Sequence, residues 1–320
     1  MQRLAWLASI SLVAAACGGS DDNGDTGVDA SVEADAAAPQ PDADTGDVNP
    51  ISGPTLAFDS DGVEVGPANW DCLGDPDPVE ETENDIEVSG QLSEFLNAAL
   101  DEYEISAFAS LEFDGEPTAG PVECDGDGCD PTEYELTIPA GVTRVAFRVE
   151  TNNDLVTFTL GHSFESDATE ATVNFNVVGD GTASTLAVAA LRRDRTAGLG
   201  IVAGDVVDCE GNFVRHAIAA LSTTSGELAP VAEAERSFYF GGQLPVGART
   251  ETQADGRFMI PEITADELVY VQAWGYISHE DFDNDELTLL SELGIEIPED
   301  ALITSPFAPL YSEADNGGDD

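Results

Sequence analysis

Residues 254–275 read ADGRFMIPEITADELVYVQAWG, and residues 131–150 read PTEYELTIPAGVTRVAFRVE. Each begins with a polar turn that leads into an aromatic residue, Phe258 or Tyr134. Alternating apolar positions follow, then a proline, Pro261 or Pro139, and then a second alternating run. Successive side chains on a strand point to opposite faces, so this alternation marks strands with one buried face. Proline and its turn neighbours end one strand and begin its return. The same period of two extends outward from these stretches, at 86–92, 103–113, 155–160 and 172–178, and again at 201–207, 217–223 and 236–241. Gly, Pro, Asp and Asn separate the runs, which predicts an all-β chain of antiparallel sandwiches. The order in 51–180 is echoed in 199–312, so two related sandwich modules are expected.

Two helices interrupt this pattern. TASTLAVAALRR, 182–193, carries apolar positions at helical spacing behind a capping Thr or Ser, and predicts a short connecting helix within a linker at 181–198. HEDFDNDELTLLSELG, 279–294, crowds acids at its start and repeats leucines before Gly294, which predicts a short C-terminal helix. A last strand near 302–304 is expected to rejoin the sheet, and 313–320 to be a disordered tail.

The paired stretches resemble the carboxypeptidase regulatory-like domain, a transthyretin-like seven-stranded sandwich. In the second module Thr252, Asp255, Gly256 and Phe258 match that family's Thr-x-x-Asp-Gly-x-Phe/Tyr hairpin, and Val202, Gly204 and Val206 match its opening strand. In the first module Val88, Ser89 and Gly90 open and 134–141 closes, with a cysteine-bracketed loop in place of the plain Asp-Gly turn. The two-module layout with DCEGN at 208–212 is also similar to lipoproteins of myxobacterial type. The resemblance spans roughly 86–275 and implies an accessory, stabilising or binding role without catalysis.

The N-terminus suggests where such a fold works. Arg3 precedes the apolar run LAWLASISLVAAA, too short to span a bilayer and followed at once by Cys17. This reads as a signal peptide, residues 1–17, and Ala14-Ala15-Ala16-Cys17 resembles a lipobox whose cysteine is acylated. Ala14 stands where Leu or Val is usual, so an ordinary cleaved leader is the rival reading. Gly18 after the cysteine favours the outer membrane or cell surface over retention at the inner membrane, and a periplasmic face stays open. Residues 18–50 are Asp, Ala, Gly, Pro and Ser with no aromatic, and cannot bury enough apolar area to offset the entropy of ordering, which predicts a solvated acidic tether.

The chain has 64 acidic residues against 10 basic ones, a net charge of −54, and every basic residue is arginine. That field excludes nucleic acid as a partner and repels anionic lipid, so attachment to a membrane falls to acyl chains. An envelope protein or polysaccharide is the expected partner. Cys72, Cys124, Cys129 and Cys209 remain after Cys17. Cys124 and Cys129 bracket the DGDG turn and are expected to pair across it, leaving Cys72 with Cys209; a zinc site is the rival, at spacings that do not suit it.

Calcium is the one cofactor the acidic clusters leave open. Asp281, Asp283, Asp285 and Glu292 fall at positions one, three, five and twelve of an EF-hand loop, but Glu286 replaces the glycine at position six. Asp125, Asp127 and Asp130 in CDGDGCD form the second candidate. An acidic helix start and a solvated hairpin tip explain the same residues. His162, His216 and His279 lack ligand spacing, and GHSFE at 161–165 lacks the second glycine of a nucleophile elbow. No catalytic residue is assigned. The expected function is a lipid-anchored scaffold, adhesion or ligand-presenting protein, and the alternative is a calcium- or carbohydrate-binding module, for which Trp70 and Trp274 are the aromatic candidates and core packing their simpler role.

Overall fold

The computed structural model describes residues 51–309 except 75–78, 96–99, 110–112, 114, 126–128, 152–154 and 229–235. The predicted signal peptide with Cys17, the tether 18–50, Asp127 and the tail 313–320 lie outside the described residues.

Strands dominate, as the alternation predicts. A hairpin of β1 (Leu56–Phe58) and β2 (Glu64–Pro67) precedes β3 (Ile86–Glu94), β4 (Tyr103–Phe108), β5 (Ala119–Cys124) and β6 (Glu133–Ile138). Then come β7 (Val145–Thr151), β8 (Val156–His162), β9 (Glu170–Thr172) and β10 (Phe175–Val177). Helix α1 (Asp180–Leu191) occupies the predicted linker and ends at a left-handed Arg192. Beyond it run β11 (Leu199–Val206), β12 (Phe213–Arg215), β13 (Ala217–Ser222), β14 (Phe238–Phe240) and β15 (Pro245–Val246). The last elements are β16 (Arg257–Thr264), β17 (Leu268–Gly275), α2 (His279–Asn284), β18 (Thr288–Glu296) and β19 (Ala301–Phe307).

Three expectations are corrected. The C-terminal helix stops at Asn284 because Asp285 turns left-handed at φ 58, and the following leucines join β18 instead. Leu290, Leu293 and Ile295 thereby enter the core, and a full ladder with β17 outweighs an acidic helix start. Pro261 does not end its strand. β16 runs through it to Thr264, and the register with β11 skips Pro261 and Glu262, a bulge in which the missing N–H costs no ladder bond. Finally, the sheets are not purely antiparallel, because β19 runs parallel to both its neighbours and β9 and β10 run parallel to β3.

The position of β19 sets the architecture. A nine-stranded sheet runs β15-β14-β16-β11-β19-β8-β7-β4-β5, so strands from both predicted modules share it, with β19 between β8 and β11. Ile303 stands opposite Val202 on one side and Phe158 on the other. Thr304 adds side-chain bonds to the Phe158 carbonyl at 3.1 Å and the Thr159 hydroxyl at 3.0 Å.

Each face of this sheet carries its own cover. Phe108, Phe158, Val202, Phe258 and Ile303 face a core shared with β13, β17 and β18, which form a three-stranded sheet. Their strand neighbours point the other way. Ile105, Phe147 and Val149 pack with Val88, Leu136 and Phe175 of the sheet formed by β3, β6, β9 and β10, whereas Ile201, Met259 and Leu302 pack against Ala183, Leu186 and Ala190 of α1.

The borders of the large sheet are closed to further pairing. Its terminal strands β5 and β15 each contain a proline, Pro121 and Pro245, which cannot donate to a new ladder. The free edge of β13 is occupied differently: Tyr239 Oη accepts from Ala219 N at 3.0 Å, and Ser237 Oγ donates to the Ala219 carbonyl at 2.5 Å.

Two disulfides complete the frame, Cys72–Cys209 and Cys124–Cys129, as the cysteine spacing predicts. The first ties the segment after β2 to the turn between β11 and β12. Residues 51–72 therefore belong with the second half of the chain: β1 pairs with β12, and Ala57, Ala68 and Trp70 lie in the core of β13, β17 and β18.

Gly204 tests the β11–β19 contact. A Cβ there would come within 2.3 Å of the Ser305 carbonyl oxygen and 2.7 Å of the Phe307 ring, which itself packs on Phe258. Gly204→Ala is expected to cost about 2–3 kcal/mol of unfolding free energy. Gly181→Ala, where a Cβ on α1 meets nothing, is expected to be neutral or to stabilise by up to about 1 kcal/mol. Urea midpoints of the two variants check both signs.

Candidate functional site

Among the described residues, a serine, a histidine and a carboxylate converge at one place. The backbone N–H of Ser52 donates to Glu251 Oε2 at 2.8 Å, and the Ser52 hydroxyl donates to Glu251 Oε1 in a very short contact. His216 Nδ1 lies 3.0 Å from the same Oε1 and 3.4 Å from Ser52 Oγ. Burial pushes the Glu251 carboxyl up, but the bonds from His216 and Ser52 and the His216 charge outweigh it and hold the group below the usual carboxylate range.

The elements around this cluster explain its position. His216 joins β12 to β13 at φ 67, and Thr252, fully buried, anchors the facing segment by accepting from Ala217 N at 3.0 Å and donating its own N–H to the Ala217 carbonyl at 2.8 Å. The arrangement is not that of an acid–base relay. In a relay the histidine stands between acid and serine and uses both ring nitrogens, whereas here Nδ1 faces both groups and the carboxylate takes the serine proton directly. Both Glu251 oxygens bind one residue through its backbone and its side chain, so the geometry is that of a clamp on the first described segment. Ile51 is buried against Tyr276 and Trp274, and Thr55 donates twice to the Tyr276 carbonyl.

A second feature is an open groove of about 400 Å³ on the outer face of β3, β6 and β9, lined by Glu87, Ser89, Glu135, Glu170, Ala171 and Thr172. The ladder places Glu87 opposite Glu170, and Ser89 opposite both Glu135 and Thr172. This polar face, with acceptors from Glu87, Glu135 and Glu170 beside the hydroxyls of Ser89 and Thr172, is suited to hydroxyl-rich ligands.

The predicted calcium sites are dispersed. Asp281 closes the capping box of α2 with Ser278, and Asp285 accepts from the Tyr276 hydroxyl. Asp283 lies in α2. Glu292 stands in β18, where it accepts from Ser225 Oγ at 2.6 Å, Gly226 N at 2.8 Å and Gln272 Nε2. In the other candidate, Asp130 accepts from Thr132 N at 3.0 Å and Thr132 Oγ1 at 2.6 Å, Asp125 follows β5, and Asp127 is outside the described residues. No group of three or more His, Cys, Asp or Glu among the described residues is placed to hold a metal ion.

Trp70 and Trp274 are buried, and no aromatic ring among the described residues is exposed. His279 opens α2, Ser163 follows β8, and His162 packs edge-on to Phe147 and Phe175 with its Nε2 buried and without a partner. Ser52 and Glu251 were not legible in the sequence, since 199 positions separate them. Glu87, Glu135 and Glu170 do carry a signal, because each sits at an outward position of an alternating strand.

No family model and no curated protein matches the chain. Solved structures with partial likeness include the TIE protein of Bacillus anthracis, at 8% identity over 80% of this chain and 47% of that one, with a TM-score of 0.22. A mutant of the shaft pilin SpaA from Lactobacillus rhamnosus GG is 9% identical over 71% and 97%, with a TM-score of 0.20. The tip fimbrial protein Mfa3 of Porphyromonas gingivalis is 11% identical over 67% and 81%, also at 0.20. The chain spans about half the length of the Bacillus protein. Scores of this size establish neither a shared fold nor a shared role.

His162 makes the chain sensitive to acid. Burial pushes its pKa down to about 4 from the ordinary 6.5. Its contribution to stability is therefore complete above pH 6.5 and is lost as pH falls towards 4, where the unfolded chain takes up a proton the folded ring refuses. The difference in unfolding free energy between His162→Phe and the parent is expected to shift in favour of the variant by roughly 3 kcal/mol between pH 7 and pH 4. Urea titrations at the two pH values check this, and a difference independent of pH would refute it.

Proposed function

We propose that this chain is a non-catalytic, lipid-anchored protein of a bacterial cell envelope that serves as a display scaffold. The observation that carries the reading is the clamp at the first described residues. Ser52 is gripped by Glu251, Ile51 is buried, and Thr55 is bonded to Tyr276, so the fold takes hold of the chain directly after the predicted tether. A tether that repels itself suits a domain held away from a surface. Two disulfides fit an oxidising exterior.

The module from 199 onward is read as carboxypeptidase regulatory-like. In support, Thr252 ties the hairpin to β13, Gly256 turns at φ 64 where a Cβ would meet the Val206 carbonyl at 2.6 Å, and Phe258 fills the core against Phe307. A second reading, a module that binds hydroxyl-rich ligands such as an envelope polysaccharide, is favoured by the polar groove lined by Glu87, Ser89, Glu135 and Thr172.

The anchor is tested by expressing the chain with a labelled fatty acid. Label in the parent chain and its loss in Cys17→Ser, with release of the variant from the membrane fraction, are the expected results; an unlabelled parent removes lipid anchoring from the reading. A melting scan of the oxidised chain with calcium, EDTA and envelope polysaccharides separates the two readings. A ligand at about a hundred times its dissociation constant adds roughly 2.7 kcal/mol to the folded state, and a saturable shift with a polysaccharide would favour the ligand-binding module.

A further inference from the structure

We infer that the groove on the outer face of β3, β6 and β9 takes an uncharged polysaccharide, held through pairs of adjacent sugar hydroxyls. This assignment rests on the second reading above, a module for hydroxyl-rich ligands, and deepens it to a class of ligand and the residues that select it. The register sets the polar groups out in lines across the sheet. One line runs Glu135, Ser89, Thr172, and the next runs Thr137, Glu87, Glu170. Each line therefore places a carboxylate beside a hydroxyl, about 4.8 Å away on the neighbouring strand. Val88 and Leu136 point the other way into the core, so the floor of the groove is fixed by packing.

Further along β3 the outward polar groups are already paired. Gln91 N donates to Asn174 Oδ1 at 2.9 Å, and Ser93 Oγ donates to Asn176 Oδ1 at 2.7 Å. In the groove, by contrast, Glu87, Ser89, Glu135, Glu170 and Thr172 are exposed, and none of their side chains bonds to a described residue. The chemistry of these free groups selects the ligand. A carboxylate offers two acceptor oxygens and no donor, whereas a hydroxyl is both donor and acceptor. Two adjacent sugar hydroxyls can donate to the two oxygens of one carboxylate, in bonds of the stronger, charge-assisted kind. The Ser89 and Thr172 hydroxyls supply donors for the ring and bridging oxygens. A ligand built of hydroxyls and ethers answers both kinds of group, whereas an ammonium group answers the carboxylates alone. Acidic glycans are disfavoured, because no arginine lines the groove and the net charge of −54 repels a polyanion. No aromatic ring lines it either, so short oligomers are expected to bind with dissociation constants on the order of millimolar. A long chain gains affinity by engaging several displayed copies at once.

The test uses the full Cys17→Ser chain, labelled with ¹⁵N and with both disulfides formed, and follows its backbone amide signals. The probes are maltoheptaose, laminarihexaose and mannohexaose as uncharged chains, oligogalacturonate as an acidic chain and a chitosan hexamer as an amine-bearing one. The expected result is a saturable shift of signals from 86–90, 133–137 and 170–173 with at least one uncharged chain, and no comparable shift with oligogalacturonate. Glu135→Gln is expected to weaken that binding roughly tenfold and Thr172→Val roughly fivefold, while Glu280→Gln on α2 leaves it unchanged. Signals elsewhere in the chain that match the parent show that each variant is folded. Shifts confined to another face would overturn the groove and leave the hydroxyl-binding reading standing, whereas no shift with any uncharged chain would overturn both. Tighter binding of the chitosan hexamer or of oligogalacturonate would overturn the choice of an uncharged ligand. Unchanged affinity in both groove variants would overturn the roles given to Glu135 and Thr172.

Discussion

Everything in this fold hangs on one strand being held from both sides. β19 takes hydrogen bonds from β8 and from β11, and without it the large sheet would end in two unpaired borders at its centre. The strand enters the gap from β18 through the short connection 297–300 and runs parallel to both its neighbours. The strand is accordingly buried along most of its length, with Ala301, Ile303 and Phe307 on one face and Leu302 on the other. Its neighbours are shaped to receive it: Gly204 leaves room for the Phe307 ring, and Thr304 reaches across to β8. The two covers on opposite faces of the sheet follow from this, since a sheet made of both halves presents two apolar faces and each half supplies a layer for one of them.

Charge constrains the rest. A surface of −54 leaves few cations for ion pairs, so acids near the interior are held by other means. Glu292 is satisfied by a backbone N–H, a hydroxyl and an amide, and Asp208 accepts from the backbone of Asn69, Glu210 and Asn212. Where a half-buried acid lacks enough donors its pKa climbs. Burial lifts Asp205 to about 6, with Arg257 opposing the rise and Asp255 adding to it. Neutral donors do the work that lysine does in chains of ordinary composition.

Much of the fold is legible in the sequence, and where it is not the reasons are physical. Alternation located the long strands because each has one buried face, and the cysteine spacing anticipated both disulfides. The motif residues Thr252, Gly204 and Gly256 each have a steric or hydrogen-bonding role. Short strands such as β1, β12 and β15 carry too few positions to show a period. The C-terminal leucines are ambiguous because Leu289, Leu290 and Leu293 satisfy a helical spacing as well as a strand one, and only the partner β17 decides between them. Parallel insertion of β19 leaves no local trace. At the candidate sites, the outward positions of β3 and β6 carry a signal for the polar groove that the sequence reading does not single out, whereas the Ser52–Glu251 clamp joins residues with nothing in common along the sequence.

The central place of β19 also orders events in time. Its partners on β8 precede it by about 145 positions, as Ile303 opposite Phe158 illustrates. Contacts so distant along the chain are slow to form, because a long loop must close before any pairing rewards it. The Cys124–Cys129 bond closes a short loop and can form early, whereas Cys72–Cys209 must wait until the opening segment meets the turn near Glu210. The large sheet therefore closes only when β19 reaches β8 and β11, and the halves on either side of it stay separate borders until that strand arrives.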